Sequence, residues 1–195
     1  YGELTEEREK GRYRDDLVHF FDEFYMSLRQ LSEKVKSCDT VLTDSIGRLL
    51  YNTNTLIVDL VKRDEFKEEK TELMKQLSWN IHLPSWFVSN ATKFDGGSMH
   101  LYSLTDSVAK TAILVAHEFE DKKLVQAGID SLYSITEEAL EKTTDGHGYD
   151  EPRILEKACY LGIIALKKGW KEIVADLRVK IMEYESKYSA KYFSN

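Results

Sequence analysis

The sequence predicts an all-α fold of antiparallel amphipathic helical hairpins, with about seven or eight helices. Three observations carry that expectation. Apolar residues recur at three- and four-residue spacing through nearly the whole chain, which is the mark of one-sided helices. Only 2 prolines and 10 glycines interrupt 195 residues. The breaks that do occur are short, and short connections join helices that lie side by side and antiparallel.

The first stripe is Leu17, Phe20, Phe21, Phe24, Leu28, Leu31 and Val35. The preceding stretch, Glu3 to Asp16, is dominated by charge and reads as a solvated extension of the same helix or a fraying arm. Ser37-Cys38-Asp39 breaks the pattern, and Asp39 suits an N-cap. Leu42, Ile46, Leu49, Leu50, Ile57, Leu60 and Val61 then mark a second helix, expected to pair with the first as a long hairpin. After a phase shift at Arg63-Asp64, Phe66, Leu73, Met74 and Leu77 give a shorter third helix that should end before Pro84. Bulky residues crowd that proline from Trp79 to Phe87, as a core-filling bend or an exposed docking feature. Lys93 to Ser103, with Gly96-Gly97, is the best loop and the expected seam between sub-units 1–93 and 103–195.

Beyond the seam, Ser103-Leu104-Thr105-Asp106 resembles a capping box with Asp in the last place. It opens a helix carrying Val108, Ala112, Val115, Ala116 and Phe119. A turn at Glu120 to Lys123 leads to Leu124, Val125, Gly128, Ile129, Leu132, Ile135, Ala139 and Leu140, which completes a hairpin. The loop from Thr143 to Tyr149 follows, and Pro152 sits where a first-turn proline is tolerated. Leu155, Ala158, Cys159, Gly162, Ala165 and Leu166 form the next helix. Lys167-Lys168-Gly169 suits its end, through the helix dipole and a left-handed cap. Trp170, Ile173, Val174, Leu177, Ile181, Tyr184 and Tyr188 form the last stripe.

Sliding the chain by 49 residues lays Ala109 on Ala158, Val115 on Ile164, Ala116 on Ala165, Leu124 on Ile173, Val125 on Val174 and Leu132 on Ile181. The hairpins are therefore expected to stack as a bundle or as a short solenoid of the HEAT or TPR kind. Any two amphipathic hairpins of similar length align in this way, so the match does not by itself establish a repeat. At 42% hydrophobic and 31% charged the chain can bury a core without disulfide or metal staples, and residues 1–195 are expected as a single all-α domain.

The net charge of −7 supplies no field to attract phosphate backbones, so no nucleic-acid partner is expected. Cys38 and Cys159 are the only cysteines and lie far apart, which fits a reducing compartment and a cytoplasmic location. Asn90-Ala91-Thr92 is a sequon that such a location leaves unused. No run reaches the roughly 20 apolar residues of a membrane span. The chain starts at Tyr1, so a membrane connection is expected only through a segment upstream of it.

Three constellations invite a chemical reading. His117-Glu118 followed by Asp121 lacks the second histidine of a zinc helix, where two imidazoles must stand one turn apart. Asp16 and His19 have the carboxylate-histidine spacing of di-iron bundles, but no second copy accompanies them. Asp145-Gly146-His147-Gly148-Tyr149-Asp150 could gather a cation and is better read as a hairpin connector. No cofactor, metal or catalytic group is assigned.

The aromatic surplus says more. Eleven tyrosines, eight phenylalanines and three tryptophans are residue types that anchor protein interfaces. Trp79, Trp86, Phe87, Tyr184 and Tyr188 are the candidate partner-binding residues, with core packing as the plain alternative for each. The functional expectation is a helical interaction or assembly module, working on a protein partner or on itself. It would be the cytosolic regulatory domain of a larger protein, membrane-anchored or not. The alternative is a helical-bundle enzyme or small-molecule or metal-binding protein whose residues come from separate helices.

Overall fold

Helices form along the stripes read from the sequence. The computed structural model describes residues 2–38, 40–91, 93–94, 101–142 and 151–193, with side chains over 9–36, 41–91, 101–142 and 152–192. In chain order the helices are α1 (Gly2–Lys34), α2 (Thr40–Val61), α3 (Lys70–Asn90), α4 (Tyr102–Glu118), α5 (Lys122–Lys142), α6 (Glu151–Lys167) and α7 (Lys171–Phe193). Among the described residues the sole extended pairing joins Ser37–Cys38 (β1) in parallel to Lys93–Phe94 (β2). Asp39, the Gly96-Gly97 loop and the Asp145 to Asp150 loop lie outside the described residues.

The helices pack as a two-layered bundle. One layer runs α1, α3, α5, α7 and the other α2, α4, α6. Neighbours within a layer run parallel, and contacts in register along their length show it. From α1 to α3, Arg14 meets Glu69 and Tyr25 meets Trp79. From α5 to α7, Gln126 meets Asp176, Tyr133 meets Glu183 and Glu137 meets Lys187. Parallel neighbours bring the connections after α1 and α3 side by side, which accounts for the parallel pairing of β1 with β2.

The expected α1–α2 hairpin is corrected: α1 lies on α3, and α2 packs chiefly on α4 and then on α3. Tyr25, 4 % exposed, gives the physical reason. Its ring stacks on Trp79 at 4.7 Å and meets Trp86 at 6.3 Å, aromatic contacts that α2 does not supply to α1. The expected end of the third helix before Pro84 is also corrected, because α3 continues to Asn90 with Pro84 inside it. The proline removes one helical hydrogen bond, at about 3 kcal/mol. Continuing the helix buries Leu83, Phe87 and Val88, each worth about 1.5–3 kcal/mol, so burial outweighs the break.

The capping box at α4 does not form. Leu101 is the N-cap residue and makes no side-chain cap, while Ser103 Oγ donates to Asp44 of α2 and Thr105 Oγ1 donates to the Leu101 carbonyl. Asp121 does cap α5, accepting from the amides of Lys123 and Leu124 at 2.9 and 3.1 Å. At the end of α6, Gly169 has φ +73°. The Trp170 amide reaches the Ala165 carbonyl and the Gly169 amide that of Leu166, the paired bonds of a Schellman cap.

Buried apolar side chains form one continuous cluster from Phe21 on α1 to Tyr184 on α7. A polar thread crosses it: Asn80 Nδ2 donates to Asn54 Oδ1 at 2.8 Å, and Asn54 Nδ2 donates to Thr111 Oγ1 at 3.0 Å. Each of these side chains is buried, so the thread fixes α3, α2 and α4 against one another. The helix starts also keep the spacing seen in the sequence: Tyr102 and Glu151, and Lys122 and Lys171, stand 49 residues apart.

Candidate binding groove

The line Tyr102, Asp106, Lys110 follows one face of α4 at four-residue intervals, and Arg153, Lys157, Tyr160 does nearly the same on α6. Parallel packing of α4 and α6 turns the two lines toward each other. Between them lies a groove of about 450 Å³ whose walls also include Ala109, Ile113 and Glu156. A smaller hollow of about 190 Å³, lined by Arg48, Tyr51 and Ser103, continues it toward α2 and shares Tyr102, Asp106 and Lys110.

Lys157 organises the floor. It reaches from α6 to the start of α4, where Nζ donates to the Tyr102 carbonyl at 3.1 Å and to Thr105 Oγ1 at 2.9 Å, and lies 3.4 Å from Asp106 Oδ1. Its ammonium also sits 3.8 Å from the centre of the Tyr102 ring. Burial pushes the Lys157 pKa down, and the Asp106 carboxylate offsets part of that shift. Asp106 takes a second cation through Oδ2, with Lys110 Nζ at 2.6 Å. Burial pulls its pKa up, but the Lys110 hydrogen bond and the charge of Lys157 prevail and hold the carboxyl below its ordinary value. The same hydrogen bond raises Lys110, whose ammonium lies 5.4 Å from the Tyr51 ring centre.

The groove thus presents Arg48, Lys110, Arg153 and Lys157 against the carboxylates Asp106 and Glu156. That is a local positive balance on a chain of net charge −7. Tyr102 and Tyr160 leave 56 % and 62 % of their surface exposed along it. The arrangement can hold carboxylates with its cations and lay flat groups on its rings.

The residues chosen from the sequence lie elsewhere, in seams of the other layer. Trp79 and Trp86 are half-buried and flank Tyr25 between α1 and α3, with Lys75 over Trp79 at 4.3 Å and Arg29 over Trp86 at 5.1 Å. Phe87 and Tyr184 are buried in the core, and Tyr188 is half-buried between Tyr184 and Tyr192 in a tilted ladder. An exposed patch at Phe87 and Tyr184 is therefore corrected to internal packing. The groove residues escaped notice because lysine, aspartate and tyrosine on a polar face look like solvated surface until a second helix comes to face them.

His19 pairs with Glu23 at 3.3 Å on the exposed face of α1, and His117 is exposed at the end of α4, while His147 lies outside the described residues. Among the described residues no group of three or more His, Cys, Asp and Glu side chains could hold a metal ion, and no helix is long and apolar enough to cross a membrane. Cys159 is a free, half-buried thiol whose pKa is raised by burial. Compared with known proteins, the chain matches no family model, no curated protein and no solved structure.

Proposed function

We propose that this chain is a cytoplasmic helical interaction module, built from repeated hairpins, that binds a segment of a protein partner in the groove along α2, α4 and α6. The observation that carries the reading is the company of the exposed tyrosines: Tyr102 and Tyr160 stay open to solvent beside Lys110, Arg153 and Arg48. Exposed tyrosines beside arginines are the composition of interface centres rather than of ordinary surface. The lining favours a segment that carries carboxylates. In a larger protein, the module would couple that segment to assembly or regulation.

Selection of peptides from a random display library against the folded chain tests this. Selected peptides should bind the unaltered chain and lose about tenfold or more in affinity for Tyr102→Ala, Tyr160→Ala and Lys110→Glu, with circular dichroism unchanged. Peptides that bind all three variants as well as the unaltered chain would overturn the groove as the binding face.

A further inference from the structure

Inside the bundle each new helix of the three-membered layer settles between the two helices before it. α4 lies against α2 and α3, and α6 lies against α4 and α5. Close approach makes these positions. A side chain at Gly47 of α2 would overlap the backbone of α4 at Ser103, and the Cβ position at Gly128 of α5 lies 2.7 Å from Ala112 and 3.5 Å from Leu161 of α6.

The pair α6–α7 forms the same kind of position again. A groove of about 310 Å³ runs between them, lined by Cys159, Gly162, Leu166, Val174, Leu177 and Met182 among others. Val174, Leu177, Ile181 and Met182 stand 49 residues after Val125, Gly128, Leu132 and Tyr133 of α5, all buried within the bundle. On α7 the matching face is only partly covered: Leu177 is buried, Val174 and Ile181 are half-buried and Met182 is 60 % exposed, while Leu166 on α6, elsewhere along the same groove, is 63 % exposed.

At the other end of the layer, α2 has no helix before it. Val41 and Leu49 are its second and tenth residues, as Ser103 and Thr111 are of α4. Through Ser103 and Thr111, α4 holds Asp44 and Asn54 of α2. The corresponding line on α2 is Val41, Ser45, Leu49, Asn52 and Leu56, exposed throughout, with Arg48 and Asp59 exposed at its edge. A partly apolar helix face and a mainly apolar groove, edged by Arg178, thus sit at opposite ends of one stack.

We infer that the α6–α7 groove receives α2 of a second copy of this chain, docked head to tail, so that the packing of α4 and α6 continues from one molecule into the next. The two surfaces differ, so the contact does not close on itself and chains of molecules grow with concentration. Each face is narrow, so the association is weak and shows itself as concentration rises. The contact rests on Val41, Leu49 and Met182, none of which lines the tyrosine groove, so it stands or falls separately from peptide binding there.

Light scattering coupled to size exclusion, on the full chain from about 1 to 500 µM, tests the inference. The average mass should climb with concentration and not level off at a dimer. Leu49→Glu should block the head and Met182→Glu the tail, each giving a monomer with unchanged circular dichroism. An equimolar mixture of the two should then form a heterodimer and nothing larger, because one intact head and one intact tail remain. Should either glutamate variant lose its helical signal, Val41→Lys and Ile163→Lys replace them at exposed positions. A chain that stays monomeric throughout, a species that levels off at a dimer, or two blocked variants that fail to associate when mixed would overturn the proposal.

Discussion

Glu120 has φ +53° in the turn between α4 and α5, and Gly169 has φ +73° at the matching place between α6 and α7. Glycine adopts that left-handed conformation without the steric cost that a Cβ brings. Replacing Glu120 by glycine gives up only an exposed pair with Lys168, which contributes little. Glu120→Gly should therefore raise the thermal midpoint by about 2 °C, measured by scanning calorimetry. His82 offers a second test. It lies half-buried on α3, and burial lowers its pKa below 6.5 despite the charge of Asp130; Lys122, Lys123 and Glu172 line a shallow hollow together with His82 and Asp130. The unfolded chain therefore takes up the His82 proton first as pH falls through 6.5, and the folded state loses stability on the acid side of that value. His82→Gln should flatten the difference between urea midpoints at about pH 7.5 and about pH 5.5, and an unchanged difference would exclude His82 as its source. At this scale the sequence is uneven evidence. Gly169 after two lysines announces its cap, whereas nothing in the composition around Glu120 announces a strained glutamate.

Helices meet most tightly at glycines, and the three contacts differ in what would have to move. At Gly47 a methyl group meets the backbone of α4, at Gly128 it meets the Cβ of Ala112, and at Gly162 it meets only the tip of Leu177. Helix propensity favours alanine by about 1 kcal/mol at each. Overpacking against a backbone costs more, about 3 kcal/mol, because two helices must separate. Chemical denaturation should rank the alanine variants Gly47, Gly128, Gly162 from most to least damaging, with Gly47→Ala losing about 2 kcal/mol and Gly162→Ala near neutral. The α4–α6 contact depends instead on charge. Lys157 has a side chain 13 % exposed, so Asp106→Ala removes the carboxylate facing a buried ammonium, leaves it only the neutral acceptors of Tyr102 and Thr105, and should cost about 2 kcal/mol. Lys157→Met should cost less than about 1 kcal/mol and should recover most of that loss in the double variant. An additive double variant would mean that the two residues do not act as a pair. The existence of each helix was legible because its stripe is local. The partner of α1 was not, since Tyr25 and Trp79 are 54 residues apart and periodicity is blind to which stripe meets which. Pro84 misled for the converse reason: its local cost is real, and the burial of Leu83, Phe87 and Val88 that offsets it is tertiary.

Across the whole molecule, each helix touches mainly its neighbours in chain and in layer. The middle helices α3, α4 and α5 are packed on both sides, and α1 and α7 each have one neighbour in their layer. The tyrosine groove depends on this arrangement, since its lining comes from three helices, and no local motif could have drawn Arg48, Asp106 and Lys157 together. The seams that absorbed the tryptophans depend on it as well, which is why an aromatic surplus was legible and its location was not. Such an architecture should open from its ends rather than all at once, because releasing a terminal helix exposes one interface and releasing a central helix exposes two or more. The polar thread from Asn80 through Asn54 to Thr111 adds to the cost of opening the middle. Amide hydrogen exchange followed by mass spectrometry should find the slowest amides around Ile81, Val115 and Leu132, all fully buried. Those in the last turns of α7, where Glu185, Ser186 and Ser189 are exposed, should exchange about a hundredfold faster. Uniform protection along the chain would mean a single all-or-none unit, with the ends as firmly held as the centre.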